Sequence, residues 1–284
     1  MEKLSLPRGR SLALEPFAVM GIVNATPDSF HAASRHRARD EARDAALAMV
    51  AEGAVVIDIG GESTRPGSSY IDESEELERV IPLIEALRRE SDVPVSVDTR
   101  KAAVWKAALS AGADMLNDIT ALRDSPESAG LAAAAGAPVI LMHMKGEPAT
   151  MQNAPYYEDC LGEVMVFLRE AAARAEAGGV PRDRIVLDPG IGFGKRQADN
   201  LALLSGLGRL RGLGYPLLVG LSRKGFLGQL TGEPIEARLA GSLGAAAAAW
   251  ILGARIFRVH DVAETRDLLV VLAAILASVA KAEA

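Results

Sequence analysis

Short apolar runs recur along the chain, and segments with helical spacing separate them. The first four are AVMGIVN (18–24), AVVIDIGG (54–61), VPVSVDT (93–99) and ADMLNDIT (113–120). Four more follow, namely PVILMHM (138–144), RIVLDPG (184–190), PLLVGLSR (216–223) and RIFRVHD (255–261). Near-continuous apolar runs of this length predict strands that are buried on both faces, as in a parallel sheet covered by helices.

The segments between these runs carry the signals of helix starts and stops. Residues 72–90, DESEELERVIPLIEALRRE, begin with Asp72 as a candidate N-cap and continue with apolar residues every three or four positions. Gly53, Gly112 and Gly253 stand where a helix is expected to end before the next strand. Eight strand–helix units in roughly 250 residues predict a (β/α)8 TIM barrel. A doubly wound open sheet is the second choice, because no G-x-G-x-x-G follows the first strand.

We therefore predict an α/β protein with one barrel domain over 18–284. Residues 1–17 are predicted to form an N-terminal extension or a hairpin at the barrel floor.

Composition narrows the class of protein further. The 284 residues carry a net charge of -6, which gives no support to a nucleic-acid partner. The single cysteine, Cys160, favours a reducing cytoplasm and an inert thiol. The most apolar run, residues 268–277, is about half as long as a membrane span, so we expect a buried last helix and no membrane partner. These features predict a cytoplasmic protein.

Each predicted strand becomes polar at its carboxyl end. The residues there are Asn24, Asp58, Asp98, Asn117, His143, Asp188, Ser222, Arg258 and His260. In a (β/α)8 barrel these ends meet at one mouth, where such folds place their chemistry. Strand alternation sets Arg258 and His260 opposite Phe257 and Val259, so the charged pair should face the barrel interior. Buried charges of both signs must pair with each other or with a polar ligand.

The motifs at these strand ends resemble those of bacterial dihydropteroate synthases. They are, in order, NATPDSF, GGESTRPG, VDTRK, NDI, LMHMKGEPATMQ, LDPGIGFGK, GLSRK and RVHD, and they extend from about residue 20 to residue 262. The resemblance implies an enzyme that joins 6-hydroxymethyl-7,8-dihydropterin diphosphate to 4-aminobenzoate and releases pyrophosphate. It also implies small-molecule substrates and a target for sulfonamides.

The resemblance implies a role for individual residues. Asp98, Asn117 and Asp188 match the pterin-binding positions, and carboxylates and an amide suit a 2-amino-4-oxopyrimidine edge. Lys224 and Arg258 are expected to contact pterin as well and, with Asp98, to be catalytic. Arg258 can stack on a flat ring while it pairs with phosphate. Strand phase adds Met142, which could pack under the pterin ring, whereas His143 is expected to be a packed or supporting side chain.

Further positions are expected to bind the diphosphate and the aminobenzoate. They are Thr64, Arg65, Phe193, Ser222 and His260. Asn24 is the candidate Mg²⁺ ligand, because Mg²⁺ prefers oxygen donors and takes substrate phosphates as further ligands.

The loop after Asn24 is expected to be a lid over the aminobenzoate, and it departs from the family pattern. After the phenylalanine of NATPDSF the family commonly has S-D-G-G, whereas this chain has His31-Ala32-Ala33-Ser34. A basic run then follows, in which Arg37 and Arg39 could attract an anionic substrate or simply lie in a solvated loop.

Two alternatives share much of the same pattern, and a third rests on the fold alone. The first is a pterin-binding module that presents a methylated folate to a corrinoid partner, the second is a synthase homologue without activity, and the third is an unrelated (β/α)8 phosphate enzyme. GLSRK, RVHD and the loop with Thr64 and Arg65 argue against the first. The late apolar segments, residues 241–254 and 268–277, predict a homodimer, which the resemblance also implies.

Overall fold

The chain forms a barrel of eight parallel strands preceded by a short hairpin. The structure is a computed structural model that describes residues 2–25, 32–63 and 70–282. The hairpin pairs β1 (Lys3–Ser5) with β2 (Ser11–Ala13) in antiparallel register. The barrel strands are β3 (Ala18–Asn24), β4 (Val56–Gly60), β5 (Val95–Asp98), β6 (Met115–Asp118), β7 (Val139–Met142), β8 (Ile185–Asp188), β9 (Leu218–Val219) and β10 (Ile256–Val259).

Hydrogen-bonded neighbours follow the order β8-β7-β6-β5-β4-β3-β10-β9. A parallel bridge between Leu187 and Leu217 joins β8 to the residues just before β9 and closes the ring. The predicted (β/α)8 architecture is therefore confirmed. β9 is much shorter than the apolar run that predicted it, because the chain turns into the mouth after Val219 and Arg223 adopts a left-handed conformation with φ +57°.

Helices cover the outside of the barrel. They are α1 (Ala32–Ala51), α2 (Glu73–Arg88), α3 (Ala102–Ala111), α4 (Glu127–Ala135), α5 (Cys160–Ala177), α6 (Gln197–Ser205), α7 (Leu207–Arg211), α8 (Gly225–Thr231), α9 (Leu239–Ile251) and α10 (Val262–Ala282). The predicted cap of α2 is confirmed, since the Asp72 carboxylate accepts a hydrogen bond from the Glu75 amide at 2.8 Å. Gly112 ends α3 with a φ of +108°, which a residue with a side chain adopts only under strain.

The basic run that follows the first loop is helical, which corrects its interpretation as a solvated loop. α1 begins at Ala32, and Arg37 lies 2.8 Å from Glu41 one helical turn further on. The spacing of i and i+4 places such a pair on one helix face. Arg39 pairs with Asp40 at 3.2 Å. Both guanidinium groups thus have carboxylate partners within their own helix.

The apolar core has two parts, because alternate residues of each strand face opposite ways. Outward-facing residues such as Val95, Val97, Phe257 and Val259 pack against the helices. Inside the barrel, a second cluster joins the four leucines of the hairpin region to inward-facing residues of the strands, from Ala18 and Met20 through to Ile256. The hairpin region therefore fills the barrel floor, and the polar residues at the carboxyl ends of the strands lie at the opposite end of the barrel.

A charge cluster fastens this floor. The fully buried Asp114 carboxylate accepts hydrogen bonds from Arg8, Arg10 and Arg88, the last at 2.6 Å, and from the Val95 amide at 3.0 Å. Every partner is a donor, so both carboxylate oxygens are satisfied.

None of the helices in the described part of the chain is both long and apolar enough to cross a bilayer.

Candidate active site

Arg258 lies between two carboxylates at the mouth of the barrel. Its Nε donates to Asp58 Oδ2 at 2.6 Å, and its Nη2 donates to Asp98 Oδ2 at 2.9 Å. Asn117 Nδ2 donates to the same oxygen of Asp58 at 3.1 Å. The inward direction of Arg258 that strand alternation predicted is therefore confirmed. The amide nitrogen of Asn117 faces Asp58, which leaves its carbonyl oxygen as the end of the side chain that can accept a hydrogen bond.

Burial changes the protonation equilibria in this cluster. Desolvation raises the pKa of the Asp98 carboxyl to about 7, although the Arg258 guanidinium acts in the opposite direction. Desolvation also acts against the charge of Arg258, but Asp58 and Asp98 outweigh it and raise the pKa of the guanidinium. A ligand that donates hydrogen bonds to Asp98 would therefore select its ionised form.

Lys224 follows the short β9 and lies at the same mouth of the barrel as Arg258 and Asp98. Its Nζ lies 4.0 Å from the centre of the Phe193 ring, a cation–π distance. Desolvation lowers the pKa of Lys224 to about 8, with the positive charge of Arg258 acting in the same direction. Desolvation raises the pKa of the buried Asp188, whose Oδ1 accepts from the Gly190 amide at 2.7 Å. The Lys224 charge opposes that rise. The site thus holds a second set of opposite charges.

The loop after β8 places Phe193. Gly190, Gly192 and Gly194 all have positive φ, which lets the loop fold back on the end of β7. A Cβ on Gly190 would overlap the carbonyl oxygen of His143. Phe193 itself is half-buried and packs against an apolar cluster that includes Met142 and Met151.

The lining of the mouth also includes His260, Ser222 and Asn24. The Ser222 hydroxyl accepts a hydrogen bond from the His260 amide at 3.3 Å and lies 3.1 Å from His260 Nδ1. Asn24 is the last residue of β3 and its side chain is exposed.

A cavity of about 1060 Å³ unites most of the residues that sequence patterns singled out. Its lining includes Asn24, Asp98, Phe193, Ser222, Lys224, Arg258 and His260. Asn117, Met142 and Asp188 are buried and do not line it. Thr64 and Arg65 lie outside the described residues. The size suits a two-ring ligand with a polar extension.

Sequence reasoning missed two buried residues of this region. Asp58 was recognised only as one of the polar strand ends, yet it bonds both Arg258 and Asn117. Lys195, the last residue of the GIGFGK motif, lines the cavity and is only 4% exposed. A lysine immediately after a glycine-rich turn is usually exposed to solvent, so the GIGFGK motif did not indicate that Lys195 is buried.

The residues that line the cavity are better suited to a metal ion that binds together with a phosphorylated substrate than to an ion held by the protein alone. In the described ranges no three His, Cys, Asp or Glu side chains are grouped so that they could hold an ion. Asn24 offers one neutral oxygen beside the cationic side of the cavity. Mg²⁺ is commonly bound through a few protein oxygens together with substrate phosphates.

Comparison with known proteins tests the family resemblance. A profile of the family described as "Pterin binding enzyme" matches residues 20–260. The dihydropteroate synthase of Escherichia coli strain K12 is 45% identical over 271 residues, which cover 95% of this chain and 96% of that protein. The chain belongs to the dihydropteroate synthase family. The match over nearly the full length of a synthase argues against a methyl-transfer module.

Solved structures of the dihydropteroate synthase family have the same architecture. The Xanthomonas albilineans enzyme with 4-aminobenzoic acid has a TM-score of 0.89 and 48% identity, and the match covers 97% of this chain and 98% of that one. The Yersinia pestis enzyme in a sulfonamide drug complex has a TM-score of 0.90 and 45% identity, with 97% and 99% covered. Both agree with the barrel described above.

Proposed function

We infer that the chain is a dihydropteroate synthase, which condenses 6-hydroxymethyl-7,8-dihydropterin diphosphate with 4-aminobenzoate to give 7,8-dihydropteroate and pyrophosphate. The observation that carries this conclusion is the barrel mouth itself. The buried carboxylate of Asp98, the cations Lys224 and Arg258 and the ring of Phe193 share one cavity in a chain that matches a synthase over nearly its whole length.

The acidic side of the cavity suits the pterin. Its aminopyrimidine edge presents N–H donors, which the carboxylates of Asp98 and Asp188 and the carbonyl oxygen of Asn117 can accept. The guanidinium plane of Arg258 can lie on the ring, since Asp58 holds its Nε and Asp98 holds its Nη2, which fixes the plane at the wall of the cavity. Met142 supplies apolar packing beneath this region.

The cationic side suits the diphosphate. Arg258 and His260 lie there together with Asn24 and Ser222. Asn24 would be a ligand of Mg²⁺, and the ion would supply positive charge that neutralises the leaving group. Thr64 and Arg65, outside the described residues, are proposed from the motif alone to contact the diphosphate or the aminobenzoate.

The outer part of the cavity suits 4-aminobenzoate. The ring of Phe193 offers an apolar face, and the Lys224 ammonium above it offers a charge for a carboxylate or for the pterin carbonyl. The Xanthomonas relative binds 4-aminobenzoic acid, which supports this assignment. Sulfonamides, which the Yersinia enzyme binds, should compete for the same place.

The residues can drive the reaction without a covalent enzyme intermediate. The bond between the pterin methylene and the diphosphate oxygen breaks, and Arg258 and His260 stabilise the charge that develops on the pyrophosphate. The methylene carbon gains cationic character, which the nearby carboxylates stabilise. The arylamine nitrogen then bonds to that carbon and loses a proton. Positioning and electrostatics carry the catalysis, with Asp98, Lys224 and Arg258 closest to the chemistry.

Pyrophosphate release tests the function directly. The chain is incubated with the pterin diphosphate and Mg²⁺, with and without 4-aminobenzoate. We expect release that depends on aminobenzoate and stoichiometric formation of 7,8-dihydropteroate. A chain that binds the pterin compound but releases no pyrophosphate under either condition would be an inactive homologue, and the conclusion would be wrong.

We also propose that the protein is a homodimer through α9 and α10. These helices pack against each other, and Ile251, Val271 and Ile275 on them are each more than half exposed, at 59%, 58% and 55%. Exposed apolar area of this kind is typical of an interface. Val271→Glu with Ile275→Glu should give monomers in sedimentation velocity, whereas Val166→Glu, at an exposed apolar position on α5, should stay dimeric. Monomeric wild-type protein at micromolar concentration would contradict this assignment.

A cytoplasmic location is likewise a proposal. Cys160 is a free, buried thiol, and desolvation raises its pKa to about 11, so the side chain is unreactive. A single free cysteine suits a reducing compartment, because it forms no disulfide within the chain.

A further inference from the structure

Lys195 is a buried ammonium at the end of the loop that carries Phe193. Its Nζ donates to the carbonyl oxygen of Phe193 at 3.0 Å and to the carbonyl oxygen of His143 at 3.2 Å, and it lies 2.9 Å from His143 Nδ1. An ammonium has three hydrogens, and this arrangement offers each of them an acceptor. Lys195 thus ties the Phe193 loop to the end of β7.

The neighbouring histidine is suited to accept one of these hydrogen bonds. Desolvation and the Lys195 charge lower the pKa of His143 to about 2, which keeps its ring neutral and leaves Nδ1 as an acceptor. The ring is fixed by an edge contact with Phe167 at 4.8 Å between ring centres. Desolvation lowers the pKa of Lys195 to about 7. Desolvation makes the charged form of this lysine costly, and its three hydrogen-bond contacts offset that cost.

The other carbonyl groups of the loop have different partners. Gly190 accepts from the Phe193 amide at 3.1 Å, Gly192 from Gln152 at 2.7 Å, and Gly194 from Tyr157 at 2.8 Å. The Phe193 carbonyl is the one that Lys195 holds. Without that ammonium the loop would keep its flanking anchors but lose the bond at the residue whose ring faces the cavity.

Phe193 in turn contacts Lys224, and the side chain of Lys224 runs beside Gly192. The ammonium lies 4.0 Å above the Phe193 ring, and a Cβ on Gly192 would lie 3.3 Å from Lys224 Cδ. A displacement of the loop at Phe193 would therefore move both the ring and the place available to the ammonium.

We propose that Lys195 is a positioning residue that fixes Phe193, and through it the outer half of the cavity, and thereby sets the affinity for the aminobenzoate rather than for the pterin. The proposal rests on the function inferred above. It explains why a lysine that lines the cavity is buried with its Nζ directed at the carbonyl oxygens of His143 and Phe193.

Steady-state kinetics of Lys195→Met test this assignment. Methionine replaces the apolar stem of lysine up to Cε but lacks the ammonium and donates no hydrogen bond. We expect the KM for 4-aminobenzoate to rise by about tenfold, the scale of losing a hydrogen bond to a charged donor, while the KM for the pterin diphosphate stays within about twofold. The control is Lys106→Met, which removes an exposed lysine on α3 and should leave both KM values unchanged.

A double-mutant cycle with Phe193→Leu asks whether Lys195 acts through Phe193. If it does, Lys195→Met should change the KM for aminobenzoate by less than about twofold once the ring is gone. An undiminished effect in the Phe193→Leu background would overturn the proposed route. A lowered melting temperature with both KM values unchanged would show a purely structural lysine and would also overturn it.

A second variant covers the case in which Lys195→Met does not fold. If Lys195→Met does not fold, Lys195→Gln replaces it, because its amide can still donate one hydrogen bond and should give a smaller rise in the same KM. Wild-type protein without aminobenzoate-dependent turnover would refute the inferred function instead, so the two failures are distinguishable.

Discussion

Asp58→Asn isolates the contribution of one buried charge to catalysis. Asp58 is fully buried, and its Oδ2 accepts from both Arg258 Nε and Asn117 Nδ2. Its Oδ1 has no hydrogen-bond partner among the described residues. An asparagine can therefore place its oxygen at the Oδ2 position and keep both bonds, with its amide nitrogen at the position of Oδ1. The substitution removes the negative charge and almost nothing else.

The expected magnitude follows from the change in bond type. A hydrogen bond to an ionised group contributes about 1.5–3 kcal/mol and one between neutral partners about 0.5–1.5 kcal/mol. The Asn117 bond becomes a neutral one, and the Arg258 bond keeps its ionised donor but loses the opposite charge, so the support of Arg258 should weaken by roughly 1–1.5 kcal/mol in total. A less firmly held Arg258 would stabilise the leaving group less well. We expect kcat/KM for the pterin diphosphate to fall by about tenfold.

The pH dependence gives a second, independent signature. The charge of Asp58 is one of the causes that raise the pKa of Asp98 to about 7, after desolvation. Removing that charge should lower the pKa of Asp98, so that the carboxylate persists to lower pH. The acid limb of the profile of kcat/KM against pH should therefore move to lower pH in Asp58→Asn.

Asp114→Asn is the matched control, because Asp114 is also fully buried and also bound by arginines, but at the barrel floor. Donors face both of its oxygens, so an amide there should lower the melting temperature and the free energy of unfolding by about 3 kcal/mol or more. Activity of the folded variant should stay within about twofold of wild type, a change too small to indicate a catalytic role. An Asp58→Asn enzyme that also keeps full kcat/KM and an unshifted acid limb would refute the role given to Asp58.

Three further predictions concern the same cavity. Lys224→Ala should lower kcat/KM by at least about tenfold, which single-turnover and steady-state kinetics can measure, and near-full activity would contradict its role. Because the pKa of Asp98 is raised to about 7, pterin affinity should weaken as the pH falls below 7, and binding at pH 6.5 should release protons, visible as a dependence of the calorimetric heat on buffer ionisation enthalpy. Chelation of Mg²⁺ should abolish turnover, and Asn24→Ala should raise the Mg²⁺ concentration for half-maximal rate by about tenfold, whereas unchanged turnover in EDTA would remove the metal from the mechanism.

Local periodicity accounts for the parts of the site that could be predicted. Alternation along β10 is a property of a few consecutive residues, and it predicted correctly that Arg258 faces the interior while Phe257 and Val259 face the helices. The polar strand ends gather at one mouth because parallel strands in a barrel share a direction.

Pairing across the barrel could not be predicted in the same way. Asp58 on β4 and Arg258 on β10 lie on strands separated by β3, so their ion pair depends on how the ring closes and on the register between strands. Lys195 is buried only because a loop with left-handed glycines folds back on the end of β7. The helical start of α1 was missed because the basic run at that start resembles a solvated loop more than an amphipathic helix.

The leucine-filled floor also constrains the order in which the chain can fold on the ribosome. Leu4, Leu6, Leu12 and Leu14 precede all eight barrel strands in the sequence, yet the interior that buries them includes Ile256 of β10. Contacts this far apart in sequence form slowly, since the whole intervening chain must be closed into a loop first. These leucines therefore lack part of their final packing until β10 has been synthesised, so the floor of the barrel is completed late in folding.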